Sequence, residues 1–158
     1  MQVNPVGKYI SEVDQAYAAG FLDADGAIMA LIERHQEKRY GFRVRICLKV
    51  TQKDPTILEW FLETFAVGSI RKNRTTYDWI VRDQQHVGIF LQTVLPYIHV
   101  KKLQAQKALQ ILQTIVKNSS GFRQLATLAD SLAQLNVRSK GRRKNTAQMV
   151  QEVCSRND

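Results

Sequence analysis

Acids are scarce in this chain: 14 Asp and Glu stand against 23 Lys and Arg, for a formal net charge of +9. Cysteine is scarcer still, with only Cys47 and Cys154. They form no CxxC pair and no zinc-ligand spacing, which excludes a disulfide framework and a structural zinc site. Each reads as an isolated thiol in a reducing compartment. No apolar run is long enough to cross a bilayer. Residues 1 to 8 (Met-Gln-Val-Asn-Pro-Val-Gly-Lys) contain no signal-peptide core. The expectation is a soluble intracellular protein, in cytoplasm or an organelle matrix, without a membrane partner. Its 158 residues, 44% of them hydrophobic, suffice for a single folded domain with a sizeable core and argue against disorder. The excess of cations favours a polyanionic partner, most often nucleic acid.

Against that shortage of acid, two carboxylates fall close together in residues 17 to 26, Tyr-Ala-Ala-Gly-Phe-Leu-Asp-Ala-Asp-Gly. Ala18, Ala19 and Gly20 are small enough to let two helix backbones approach closely. Asp23 and Asp25 close the helix, and Gly26 supplies a sharp exit. If the helix packs on a copy of itself, two acids meet near one axis. They repel unless a cation lies between them, and hard oxygen ligands suit Mg²⁺.

The remaining elements follow from periodicity. Ser11 with Asp14 resembles a capping box and starts a helix near Glu12, ending near Ala24. Val13, Tyr17, Gly20 and Phe21 share one side of it. Residues 27 to 33 read as a strand with Ile28, Ala30 and Ile32 inward and Met29, Leu31 and Glu33 outward. A polar tip at 34 to 41, including His35, leads into a second strand at 42 to 51. There Phe42, Val44, Ile46, Leu48 and Val50 alternate with Arg43, Arg45, Cys47, Lys49 and Thr51. Asp54-Pro55 begins a helix. Residues 68 to 73 and 77 to 82 form a second hairpin, with Ser69, Arg71, Asn73, Asp78, Ile80 and Arg82 on its polar face. Asp83 caps a helix to Leu95, which Pro96 stops. Residues 99 to 117 read as the longest helix, with Leu103, Leu109, Ile111, Leu112, Ile115 and Val116 as its apolar set. Lys101 and Lys102 sit in its first turn, where cations oppose the helix dipole; they suit either solvated lysines or a place where another force holds them. Gly121 breaks the chain before an amphipathic helix at 122 to 136. A basic run at 138 to 144 and a short helix at 146 to 154 complete the order. The result is an α+β domain, a four-stranded antiparallel sheet backed by helices. The second half lacks a copy of the acidic motif.

Three cations on one face of the second strand suit a solvated surface as well as a nucleic-acid face. Beside an acidic helix end the second reading gains, since a β-ribbon can enter the major groove. The run at 138 to 144 suits either a solvated tail or phosphate contact.

Residues 18 to 26, Ala-Ala-Gly-Phe-Leu-Asp-Ala-Asp-Gly, resemble the LAGLIDADG motif. The order of elements after it matches too, as do Val50-Thr51-Gln52-Lys53, Leu95-Pro96-Tyr97-Ile98, Asn136 and the basic loop. Over about residues 11 to 155 the chain resembles a single-motif LAGLIDADG homing endonuclease. The resemblance implies an αββαββα core over about 11 to 117 with a saddle-shaped sheet, and a helical and basic-loop extension over about 118 to 158. It implies a homodimer, joined through Tyr17, Ala18, Gly20 and Phe21, on a long, nearly palindromic double-stranded DNA site. It implies hydrolysis of one phosphodiester per strand with Mg²⁺ or Mn²⁺, leaving 3′ overhangs, and no small-molecule substrate. By position, Asp25 matches the metal-binding acid and Ala24 the residue whose backbone carbonyl reaches a metal. Gln52 matches a residue that positions water, and Lys101 a basic residue near the scissile phosphate, which accounts for its place against the dipole. Asp23 reads as structural.

The DNA-contacting set implied is Met29, Leu31, Glu33, His35, Arg43, Arg45, Lys49, Arg71, Asn73, Asp78, Ile80 and Arg82 on the sheet. Lys140, Arg142, Arg143 and Lys144 would hold phosphates. One departure falls after Gln52. Relatives carry a basic residue there, whereas this chain reads Lys53-Asp54-Pro55-Thr56 with a small insertion. Two rival classes stay open: an RNA maturase that assists intron splicing, and a DNA-binding regulator that does not cleave.

Overall fold

Ser11 Oγ accepts the Asp14 backbone N–H at 3.1 Å and opens the first helix, α1, at Glu12–Asp25. The structure, a computed structural model, describes residues 1–136 and 143–157. After α1 come strands β1 (Gly26–Arg34) and β2 (Phe42–Gln52), helix α2 (Thr56–Phe65), strands β3 (Ser69–Asn73) and β4 (Thr76–Val81), and helix α3 (Gln84–Val94). A 3₁₀ turn at Leu95–Tyr97 precedes α4 (Lys102–Gln113), α5 (Ser119–Leu135) and α6 (Ala147–Asn157). The sheet has four strands in the order β1-β2-β4-β3. β2 and β4 pair antiparallel with Thr51 opposite Asp78, and β3 and β4 with Arg71 opposite Asp78. This is the expected α+β fold.

Contacts cluster into two units. The first holds Met1–Ile28 and Cys47–Gln106, the second Met29–Ile46 and Lys107–Asp158. In the first, aromatic rings form the core. Phe61 of α2 lies 4.9 Å from Trp79 of β4, and Phe65 lies 4.9 Å from Phe90 of α3. Trp79 is wholly buried, and its indole N–H finds the Val67 carbonyl at 3.0 Å. That bond lets a polar ring enter an apolar core without an orphaned donor. Gly68 has φ +82, and a Cβ there would fall 2.6 Å from the Ile80 carbonyl, so only glycine makes this approach.

In the second unit α5 turns Phe122, Leu125, Ala126, Ala129 and Leu132 inward and packs on α6. Burying one such leucine is worth about 1.5–3 kcal/mol. The hairpin tip joins this core where Tyr40 stacks on Phe122 at 5.3 Å.

Several sequence expectations shift. The longest helix is α5, of 17 residues, while α4 has 12 and stops at Gln113. Leu103 and Ile115 are 51% and 80% exposed; the buried side of α4 is Ala105, Ala108, Leu109 and Ile111. Leu109 and Ile111 of the expected apolar set stay on the buried face, and the small Ala105 and Ala108 complete it. Gly121 does not break the chain. Asn118 Oδ1 accepts its N–H at 2.8 Å, so α5 starts at Ser119 and the glycine lies in the first turn. Cys47, which alternation put on the polar face of its strand, is buried, as is Cys154, and no disulfide joins them.

Candidate functional site

The site grows from the end of α1. Asp25 is its last residue and is exposed. Gly26 follows with φ −87, an ordinary extended backbone, so torsion does not demand glycine here. Space does: a Cβ would fall 2.4 Å from Leu22 Cδ1 and 2.7 Å from the Leu22 carbonyl. The chain therefore passes directly from helix into β1. Gln52, the last residue of β2, donates from Nε2 to Asp25 Oδ2 at 3.0 Å.

Asp23 faces a different partner. Its Oδ2 accepts the backbone N–H groups of His99 (2.8 Å) and Val100 (3.1 Å), and its Oδ1 that of Lys101 (2.9 Å). Lys101 Nζ also donates to the Asp23 main-chain carbonyl. Burial pushes the Asp23 carboxyl up, but the three N–H groups and the Lys101 charge outweigh it and hold it below the usual carboxylate value. Lys101 itself stands just before α4, its carbonyl accepting the Ala105 N–H at 2.9 Å. Gln52 and Lys101 lie far from Asp23 and Asp25 in sequence; the fold brings them to the end of α1.

The donor set fits a hard divalent cation in part. The last turn of α1 carries no basic residue, though a helix C-terminus is its negative end. Asp25 makes no ion pair among the described residues and offers carboxylate oxygen, beside the carbonyl of exposed Ala24. Among the described residues no three His, Cys, Asp or Glu side chains gather to hold a metal. One chain thus supplies only a fraction of the six oxygen ligands Mg²⁺ prefers.

The sheet-face residues divide by unit. In the first, Asp78 is not a surface group. It is fully buried, bonded by Thr51 Oγ1 at 2.5 Å, Asn73 Nδ2 at 3.2 Å and Lys49 Nζ at 3.3 Å. A carboxylate with three donors around it has no free direction toward a partner, so its expected surface role is replaced by one of orienting Lys49 and Asn73. Ile80 is 8% exposed and offers little to a ligand. Arg71, Asn73 and Arg82 are exposed, as are Lys72 and Arg74, which the sequence reading passed over. Arg74 occupies the β3–β4 turn with φ +55, and a cation at a hairpin tip was a signal in plain view.

In the second unit Glu33 Oε2 bonds Arg43 Nε at 2.6 Å and lies 3.7 Å from Arg45 Nη1. Met29, Leu31 and His35 are half-buried. Lys140 and Arg142 lie outside the described residues. Arg143 is not a free phosphate anchor. Its Nη1 pairs with Asp130 Oδ1, while Asp130 Oδ2 accepts the Ala147 N–H at 3.0 Å at the start of α6. Its place before α6, within reach of α5, turns it inward. Lys144 is exposed. Lys53, after Gln52, is exposed as well.

On α1 the exposed stripe is Val13 (77%), Tyr17 (51%), Gly20 and Ala24, with Phe21 half-buried. Ala18, expected at the interface, has no exposed surface to offer a second copy. Helical spacing puts 13, 17, 20 and 24 on one side and 18 and 22 on another.

The chain is thus a four-stranded α+β domain whose first helix ends in an exposed acid. The LAGLIDADG endonuclease profile matches residues 18–118, and the chain belongs to that family. It is 30% identical over 144 residues to DNA endonuclease I-CreI of Chlamydomonas reinhardtii, covering 87% of this chain and 86% of that protein. To DNA endonuclease I-CvuI of Chlorella vulgaris it is 32% identical over 125 residues, covering 76% and 78%. The crystal structure of I-CvuI in complex with the I-CreI target, with magnesium present and the DNA not cleaved, superposes at TM-score 0.85. It shares 29% identity and covers 92% of this chain and 94% of that one.

Proposed function

We propose that this chain is a homing endonuclease that cuts double-stranded DNA as a homodimer. The observation that carries the reading is Asp25: an exposed carboxylate at a cation-poor helix end, oriented by Gln52, on the helix that exposes Val13, Tyr17 and Gly20. A second copy packed along that stripe brings two Asp25 carboxylates to one axis, and a two-fold axis calls for a nearly palindromic site. The relatives I-CreI and I-CvuI are DNA endonucleases by name, which supports the substrate class.

Asp25, with the Ala24 carbonyl, would hold Mg²⁺ or Mn²⁺. When bound, the ion neutralises charge developing on the phosphate and lowers the cost of attack by water. Gln52 keeps the Asp25 carboxylate in one orientation and can order water beside it. Lys101 supplies positive charge near the scissile phosphate. Each strand would lose one phosphodiester bond to water, leaving 3′ overhangs. Arg71, Asn73, Arg82 and Lys49 in one unit, and Arg43 and Arg45 in the other, present donors for base edges. Lys144 adds a phosphate contact. Soluble residence in a compartment with access to DNA completes the proposal.

The test is recovery of cleaved duplexes from a randomised library in Mg²⁺, with the cut ends sequenced. A symmetric consensus with 3′ overhangs is the expected product. No enrichment over an Asp25→Asn control would reject the reading.

A further inference from the structure

We infer that Asp23 is a positioning residue for Lys101, holding it at both its backbone and its ammonium. The inference rests on the catalytic place proposed for Lys101. The first hold is the carboxylate. Its two oxygens take three consecutive N–H groups, of His99, Val100 and Lys101, at 2.8, 3.1 and 2.9 Å. These bonds span 76 to 78 positions of sequence, so no local propensity makes them. The second hold is the main-chain carbonyl of the same residue, which accepts from Lys101 Nζ. Lysine is a flexible stem with a mobile charge, and a side chain anchored at one end alone samples many rotamers. Here root and tip are tied to one amino acid, two residues before Asp25.

The placement needs such a tie. The first turn of α4 has no acidic residue, so nothing on its own helix holds a cation against the positive helix end. A role in folding alone would account for the carboxylate bonds to the 99–101 backbone. It would not account for the ammonium returning to the same residue. Misplacing a catalytic group by about 1 Å can cost on the order of a hundredfold in rate.

Asp23→Asn keeps the size of the side chain. It turns one acceptor into an –NH₂ donor, which then faces N–H groups it cannot bond. The experiment compares the parent, Asp23→Asn, Lys101→Ala and the double variant. Single-turnover cleavage of the duplex recovered from the randomised library is read in Mg²⁺, and affinity for that duplex in Ca²⁺. Asp23→Asn should slow cleavage about ten- to a hundredfold, with the Kd changed less than about threefold. The double variant should be no slower than the slower single variant, because both lose the same positioned ammonium. Multiplying effects, an unchanged rate in Asp23→Asn, or a full rate in Lys101→Ala would each overturn the inference while leaving the endonuclease reading intact. If the parent cuts no duplex, that reading fails. Amide hydrogen exchange then decides the positioning: faster exchange at His99, Val100 and Lys101 in Asp23→Asn supports it, and unchanged exchange overturns it.

Discussion

Gln52 Nε2 lies 3.0 Å from Asp25 Oδ2 and joins the end of β2 to the end of α1 across 27 positions of sequence. An amide donor on one oxygen fixes the plane of the carboxylate and leaves the other oxygen open to a cation. The bond is neutral on its donor side, so it orients the acid without cancelling its charge. An arginine there would pair with the carboxylate and compete with a metal.

Replacing Asp25 by Asn should therefore abolish cleavage while binding of the duplex stays within about threefold, since phosphate contacts set most of the affinity. Cleavage gels beside band-shift titrations give both numbers. Nicking at the parent rate would remove Asp25 from the chemistry.

Gln52→Ala should slow cleavage and raise the Mg²⁺ concentration needed for half-maximal rate, because the freed carboxylate must be ordered by the ion itself. Rates measured across a Mg²⁺ series test this; a proportional loss at every concentration would assign Gln52 to water rather than to Asp25.

Asp78 makes a pH-dependent contribution to stability. Burial raises its carboxyl most among the single influences, but the bonds from Thr51 and Lys49, the Lys49 charge and Asn73 together hold it below its ordinary value of 3.8. A folded value below the unfolded one means the contribution is complete above about pH 3.8 and fades as pH falls through the lower folded value. The urea midpoint of Asp78→Asn should fall below that of the parent at pH 7, and the gap should shrink toward pH 3. An equal gap at both pH values would contradict the assignment.

Arg143 and Lys144, neighbours in sequence, should behave oppositely. Arg143→Ala leaves Asp130 without its ion pair and should cost about 1–3 kcal/mol in unfolding experiments, with the salt dependence of DNA binding unchanged. Lys144→Ala should leave stability alone and reduce the slope of log K against log salt by about 1. Exchanged outcomes would put Arg143 on the DNA and Lys144 in the fold.

Gly20 separates folding from assembly. A Cβ there meets no atom within 4 Å in the single chain, and Gly20→Leu should stabilise the exposed helix by about 0.8 kcal/mol. Across a close two-fold helix contact the same side chain has no room. Sedimentation should therefore show a folded monomer, and cleavage should be lost. An intact dimer would move the interface away from α1.

Much of this is legible in the sequence. Caps at Ser11 and Asp83 were readable because side-chain-to-backbone bonds three residues apart are local. The β1 and β2 faces were readable because a two-residue alternation reports burial directly. The acidic motif and the family resemblance also lie in contiguous residues. What failed was long-range: α4 ended early and buried alanines, and Arg143 turned inward to Asp130.

Sequence by itself determined the element order, the basic character and the identity of the motif acids, because each depends on neighbours along the chain. Only the tertiary structure decided which partners each acid meets. Asp23 and Asp25 are two residues apart and chemically identical. Among the described residues, the fold gives one three backbone N–H groups and leaves the other exposed beside the Gln52 amide donor. That division depends on residues 99 to 101 and Gln52 arriving from elsewhere in the chain, which no local pattern encodes.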